Sequence, residues 1–117
     1  MHIDLQANHL TLTEPLRKHI DLRLRMIMAR VGHRITRVIV RLSDVNGPKG
    51  GLDKVCKIEI RLSGMPEIVV EDVQSDMYLA FDRAVARAGR TLARRVALPV
   101  TRRRSHAAGA TPESGRP

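Results

Sequence analysis

Cys56-Lys57-Ile58-Glu59-Ile60-Arg61-Leu62 decides the fold. Its apolar residues alternate strictly with charged ones. Successive side chains of an extended chain point to opposite faces, so this stretch is a strand with one apolar and one charged side. Toward the C-terminus, Ser63-Gly64-Met65-Pro66 turns the chain and Glu67 to Val73 supplies a mostly apolar strand. That connection reads as a hairpin. Toward the N-terminus, Asn46-Gly47-Pro48-Lys49-Gly50-Gly51 stacks structure breakers and reads as a loop. Before it, Val38, Val40 and Leu42 alternate with Arg37, Ile39 and Arg41, which gives another strand.

Helical periodicity flanks these strands. His2 to Gln6 is a short half-buried strand with Ile3 and Leu5 on one side. Leu12-Thr13-Glu14-Pro15 then reads as a helix start: Thr13 caps, Glu14 suits the positive dipole end, and Pro15 is tolerated in a first turn. Leu16, Ile20, Leu24, Ile27 and Val31 form one apolar stripe, and Gly32 is the expected stop. A second helix is expected from an N-cap at Ser75, with Asp76 in its first turn. Phe81, Ala84, Val85, Ala88, Leu92 and Val96 gather on one side of it. Gly89 lies beside that apolar face, where a small residue permits close packing, at a cost of about 1 kcal/mol in helix propensity relative to Ala. Leu98-Pro99 is the expected end, because a residue before proline disfavours helical geometry.

The order is therefore β-α-β-β-β-α, an α+β fold with two helices on one face of a four-stranded sheet. Residues 1–98 form the domain. Residues 99–117 form a basic tail, with Arg102-Arg103-Arg104 followed by a stretch rich in Ala, Gly, Ser and Pro that is expected to be disordered. At 117 residues there is room for one ordinary domain. Aromatic residues are only 2% of the chain, so aliphatic side chains must build its core.

Lys plus Arg number 21 against 12 acidic residues, a net charge of +9 that points to a polyanionic partner. No run of 18 apolar residues spans a bilayer, and Met1-His2-Ile3-Asp4 does not read as a signal peptide. The single Cys56 reads as a buried structural thiol and fits a reducing cytoplasm. Charge is segregated along the chain. Residues 59–82 hold six acidic side chains and one arginine, whereas residues 83–104 hold eight arginines and no acid. One repelling edge and one binding face are expected.

On the second helix Arg87, Arg90 and Arg94 fall within about 40° of Arg83, opposite the apolar side. Guanidinium groups pair with phosphate bidentately, so this row can follow a nucleic-acid backbone. Arg95 adjoins it, and Arg17, Lys18, Arg23, Arg25 and Arg30 add charge from the first helix. Arg37, Arg41, Lys57 and Arg61 share the sheet face away from the helices, either as a second basic surface or paired with Asp4 and Glu59. Lys49 can touch phosphate from its loop. No catalytic grouping, metal-ligand spacing or phosphate-loop motif is present, so neither an enzyme nor a cofactor or small-molecule substrate is expected. The strands lack the aromatics on which RNA bases stack, so contact with phosphate and sugar, and recognition by shape, are favoured.

Asp76-Met77-Tyr78-Leu79-Ala80-Phe81-Asp82, leading into a basic helix, resembles the signature of the bacterial ribosome hibernation-promoting factors and ribosome-associated inhibitors. Leu12-Thr13-Glu14-Pro15-Leu16-Arg17-Lys18-His19-Ile20 is similar to the start of that family's first helix. The resemblance covers roughly residues 1–97 and is to the short form. It implies a cytoplasmic protein that binds the small ribosomal subunit and its rRNA in the mRNA and tRNA channel. There it blocks translation under stress or in stationary phase, as a monomer when ribosome-bound. It also implies basic roles for Arg87, Arg90 and Arg94, and for Arg17 and Arg23; the role of Arg83 rests on the geometry of the row. The sequence departs from the family at Met28, Arg30 and Val31, where aromatics are usual, and in its glycine-rich loop. The alternatives are a general double-stranded RNA-binding module, or a protein-interaction module using the acidic 59–82 stretch.

Overall fold

The computed structural model describes residues 2–45 and 52–104. Strand β1 (His2–Asn8) leads to helix α1 (Glu14–Met28) and a 3-10 segment (Ala29–Arg34). Then come β2 (Ile35–Asp44), β3 (Lys54–Leu62), β4 (Met65–Gln74) and helix α2 (Met77–Arg104). The sheet order is β1-β2-β3-β4; β1 is parallel to β2, and the other pairs are antiparallel. This is the expected β-α-β-β-β-α order and α+β fold. The loop expected at 46–51, with Lys49, and the tail from residue 105 lie outside the described residues.

Alternation in the sequence becomes sidedness in the sheet. Val38, Val40 and Leu42 of β2 and Cys56, Ile58 and Ile60 of β3 are buried in one core with Leu16, Ile20, Leu24 and Met28 of α1. Phe81, Ala84, Val85, Ala88 and Leu92 of α2 complete it. Both helices thus cover the same sheet face. Ser63 and Gly64 make the β3–β4 turn, with Gly64 at φ 73°, a left-handed conformation that favours glycine. Pro66 lies within β4, an edge strand, where a missing N–H is tolerated.

Three boundaries differ from expectation. Thr13 caps α1 by accepting the Leu16 N–H at 3.4 Å, but the α-helix ends at Met28, not Gly32. The chain tightens there into the 3-10 segment, within which Val31 leaves helical geometry at φ −124°. The N-cap of α2 is Asp76, not Ser75: its Oδ2 accepts the Leu79 N–H at 3.2 Å and its carbonyl accepts the Ala80 N–H. Such a cap contributes about 1 kcal/mol. Finally, α2 continues through Pro99 to Arg104 and does not stop at Leu98. A proline forfeits one intrahelical hydrogen bond and restricts its predecessor, yet a helix can run on past it.

The helices run in the same direction, since contacts advance along both together. His19 meets Asp82, and Ile27 meets Gly89. A Cβ on Gly89 would lie 2.7 Å from Ile27 Cγ2, so glycine is what lets the helices approach.

Candidate nucleic-acid interface

The acidic stretch is consumed within the molecule. Glu59 Oε2 accepts from Arg41 Nε at 3.0 Å, and Glu67 pairs with Arg61 at 3.6 Å. Asp72 lies between Arg83 and Arg87, Asp76 caps α2, and Asp82 meets His19 and Arg23. Of the six acids only Glu71 has no side-chain partner among the described residues, and its backbone carbonyl accepts from Arg87. The expected repelling edge is therefore largely neutralised.

The outer sheet face is likewise paired. Arg37 binds Asp4, and Arg41 also donates to Gln6 Oε1 at 2.8 Å. Of the four cations expected there, Lys57 alone makes no ion pair among the described residues. Between Arg37 and Arg41, Ile39 is only 4% exposed although it points away from the helices. Its direct neighbours on the flanking strands are Asp4 and Glu59, the acids that pair with Arg37 and Arg41. The paired reading therefore holds for Arg37 with Asp4 and for Arg41 with Glu59, whereas Arg61 pairs with Glu67 rather than with either of those acids.

On α2, the arginine row divides into held and free members. Arg83 Nε lies 3.3 Å from Asp72 Oδ2, and Arg87 Nη1 lies 3.4 Å from Asp72 Oδ1. Arg87 Nη2 also donates to the Glu71 carbonyl at 2.7 Å, and Arg95 Nη1 donates to the Pro66 carbonyl at 2.6 Å. Arg94 makes only a 3.4 Å contact with the Thr91 hydroxyl. Arg90 is exposed and makes no polar contact among the described residues. The sequence has no acid beyond Asp82 on α2, which conceals that compensation arrives from β4.

The first-helix candidates are not brought to this row. Arg17 and Lys18 are exposed and line a trench of about 590 Å³ between α1 and the β1 edge, on the far side from α2. Arg17 approaches Glu14 only to 3.9 Å. Arg25 is engaged with Asp21 at 3.0 Å, and that acid raises its affinity for the proton. Arg23 sits at the helix–helix junction 3.8 Å from Asp82, with its Nε buried and unsatisfied. Arg30 is exposed on the rim of a cleft of about 330 Å³ formed by Ile27, Val31, Gly89, Leu92 and Ala93. It lies level with the C-terminal half of α2, beside Gly89 and Ala93 rather than in the arginine row.

The signature around residue 76 serves as a structural joint. Met77, Ala80 and Phe81 are buried. The His19 ring lies 5.1 Å from Tyr78 and 5.8 Å, edge-on, from Phe81. Elsewhere, Cys56 is fully buried, and desolvation pushes its thiol pKa up to about 12. Lys54 binds Asp53 at 3.1 Å and Asp44 at 3.2 Å, and these hydrogen bonds raise its pKa. Among the described residues no group of His, Cys, Asp or Glu has the arrangement of a metal site, and no helix is long and apolar enough to cross a membrane.

Residues 3–97 match the family model described as Sigma 54 modulation protein / S30EA ribosomal protein. Two solved structures share the fold. A ribosomal subunit interface protein from Coxiella burnetii superposes with a TM-score of 0.70 at 21% identity, covering 83% of this chain and 99% of that one. The N-terminal domain of Thermus thermophilus Protein Y superposes with a TM-score of 0.66 at 25% identity, covering 80% and 98%. No curated protein matches the sequence significantly.

Proposed function

The chain belongs to the Sigma 54 modulation protein / S30EA ribosomal protein family, and from that premise we propose that it is a non-enzymatic ribosome hibernation factor of the cytoplasm. It binds rRNA of the small subunit, occupies the channel used by mRNA and tRNAs, and inhibits translation under stress or in stationary phase. One observation carries this reading: nearly every acid of the 59–82 stretch is spent internally, while Arg90, Arg94 and Arg30 remain exposed around the C-terminal half of the helical layer. Unspent guanidinium groups on a rigid surface grip phosphates and release counterions. Lys18 and Arg17 add a second contact region across α1.

Co-sedimentation with purified small subunits tests the proposal. Binding is expected to weaken steeply with salt and to fail when Arg90→Glu and Arg94→Glu are combined. Salt-insensitive binding, or retention by that double variant, would falsify it. A free RNA duplex that competes as well as small subunits would favour the general double-stranded RNA module. The internal pairing of the acidic stretch speaks against its use as a protein-docking surface.

A further inference from the structure

Asp72 is the carboxylate that two members of the arginine row share. It lies on the helix-facing side of β4 with a side chain 12% exposed, and Gln74 Nε2 donates to its Oδ2 at 3.1 Å. Arg83 and Arg87 are one helical turn apart, where like charges repel, and a single acid between them relieves that repulsion. The two contacts differ in kind. Asp72 meets Arg83 through Nε at 3.3 Å, which leaves both terminal nitrogens of that 58% exposed side chain for another anion. Arg87 spends Nη1 on Asp72 and Nη2 on the Glu71 carbonyl.

We propose that Asp72 is a specificity-determining residue of the RNA-binding face, which positions the Arg83 fork and holds Arg87 against the sheet. The inference rests on the RNA-binding reading above and adds to it how the face discriminates among RNAs. A carboxylate beside a phosphate contact repels every polyanion. A guanidinium fixed by that carboxylate favours an RNA whose phosphates match its position. Asp72 therefore weakens contact with flexible RNA more than contact with a shaped, structured one.

Asp72→Asn keeps the side chain's shape and removes its charge. The full-length variant is titrated with a short oligouridylate and with purified small subunits over a salt series. Oligouridylate affinity is expected to rise several-fold, with a salt dependence steeper by about one phosphate contact. Small-subunit affinity should rise less, so the ratio of the two affinities falls. Adding Arg83→Ala should return oligouridylate binding to near the wild-type value. In the wild-type background, Arg83→Ala should weaken small-subunit binding more than oligouridylate binding. Equal gains on both RNAs, or no change in either, would overturn the role of Asp72. If the wild-type protein does not bind small subunits, the hibernation reading fails by itself. The oligouridylate measurements and the Arg83→Ala reversal still decide whether Asp72 restrains this face.

Discussion

His19 Nε2 lies 2.8 Å from Asp82 Oδ1, so a side chain of α1 and one of α2 are hydrogen-bonded across the helical layer. Both belong to the two stretches that carry the family resemblance. The contact joins those stretches directly, with Tyr78 and Phe81 packed around the same imidazole. Asp82→Ala removes this bond and the nearby Arg23 contact, and leaves the buried Arg23 Nε further from any acid. A loss of about 1 kcal/mol is expected for one partly exposed bond, with more if the Arg23 charge is stranded. Urea unfolding of Asp82→Ala and Asp82→Asn checks it. Asparagine retains an acceptor and should restore part of the loss.

Free and held arginines should behave differently in RNA binding. Arg90→Ala and Arg94→Ala should each lower the salt slope by about one, as expected for the loss of a phosphate contact. Arg87→Ala should lower it less, because that side chain is committed to Asp72 and the Glu71 carbonyl. Equal slopes for all three variants would mean that the held arginine is released on binding.

The free edge of β4 is guarded by α2. Arg87 and Arg95 donate to the Glu71 and Pro66 carbonyls, and Pro66 itself offers no N–H. Val69 and Val73 are exposed on this strand, at 48% and 39%. Unpaired strand edges invite pairing with a second chain. Combining Arg87→Ala with Arg95→Ala should therefore promote concentration-dependent self-association, read by sedimentation velocity. Arg90→Ala combined with Arg94→Ala should not.

Gly89→Ala tests the close approach of the helices. Alanine improves helix propensity by about 1 kcal/mol. The new Cβ, however, would meet Ile27 Cγ2 at 2.7 Å, and a β-branched side chain cannot rotate away freely. Overpacking costs about 1–3 kcal/mol, so net destabilisation is expected in thermal or urea unfolding. Ile27→Ala in the same chain should reverse its sign.

Cys56 should be inert in the folded protein. Burial pushes its thiol from an ordinary 9.0 up to about 12, so the reactive thiolate is scarce at neutral pH. Because the folded value is the higher one, its contribution to stability is complete below about pH 9 and is lost as pH rises from there toward 12. A thiol reagent at pH 8 should label the native chain far more slowly than the urea-unfolded chain.

Periodicity was sufficient for the elements and for their burial. The alternation at 56–62 became the sidedness of β3, and the stripe at Leu16, Ile20 and Leu24 became the core face of α1. The cap at Thr13 was legible because its chemistry is local. The cap of α2 is Asp76 rather than the adjacent Ser75, since both are good caps and only the backbone path chooses between them. Gly32 misled for a similar reason: the α-helix had already tightened into a 3-10 turn before reaching it. For the candidate site, helical angles placed the arginines on one side of α2 but gave no account of what faced them.

The β-α-β-β-β-α order, the apolar faces and the charge surplus are written in the chain itself, because they depend on side-chain type and on spacing along one element. Tertiary structure alone decided which charges are spent. Asp72 and Arg83 are eleven residues apart on different elements, and Arg41 and Glu59 meet only through strand register. Coulombic pairing acts over a few ångströms in space whatever the separation in sequence. A segment that counts as strongly acidic along the chain is therefore nearly neutralised in the fold, while Arg30 and Arg90 stay exposed with no polar partner among the described residues.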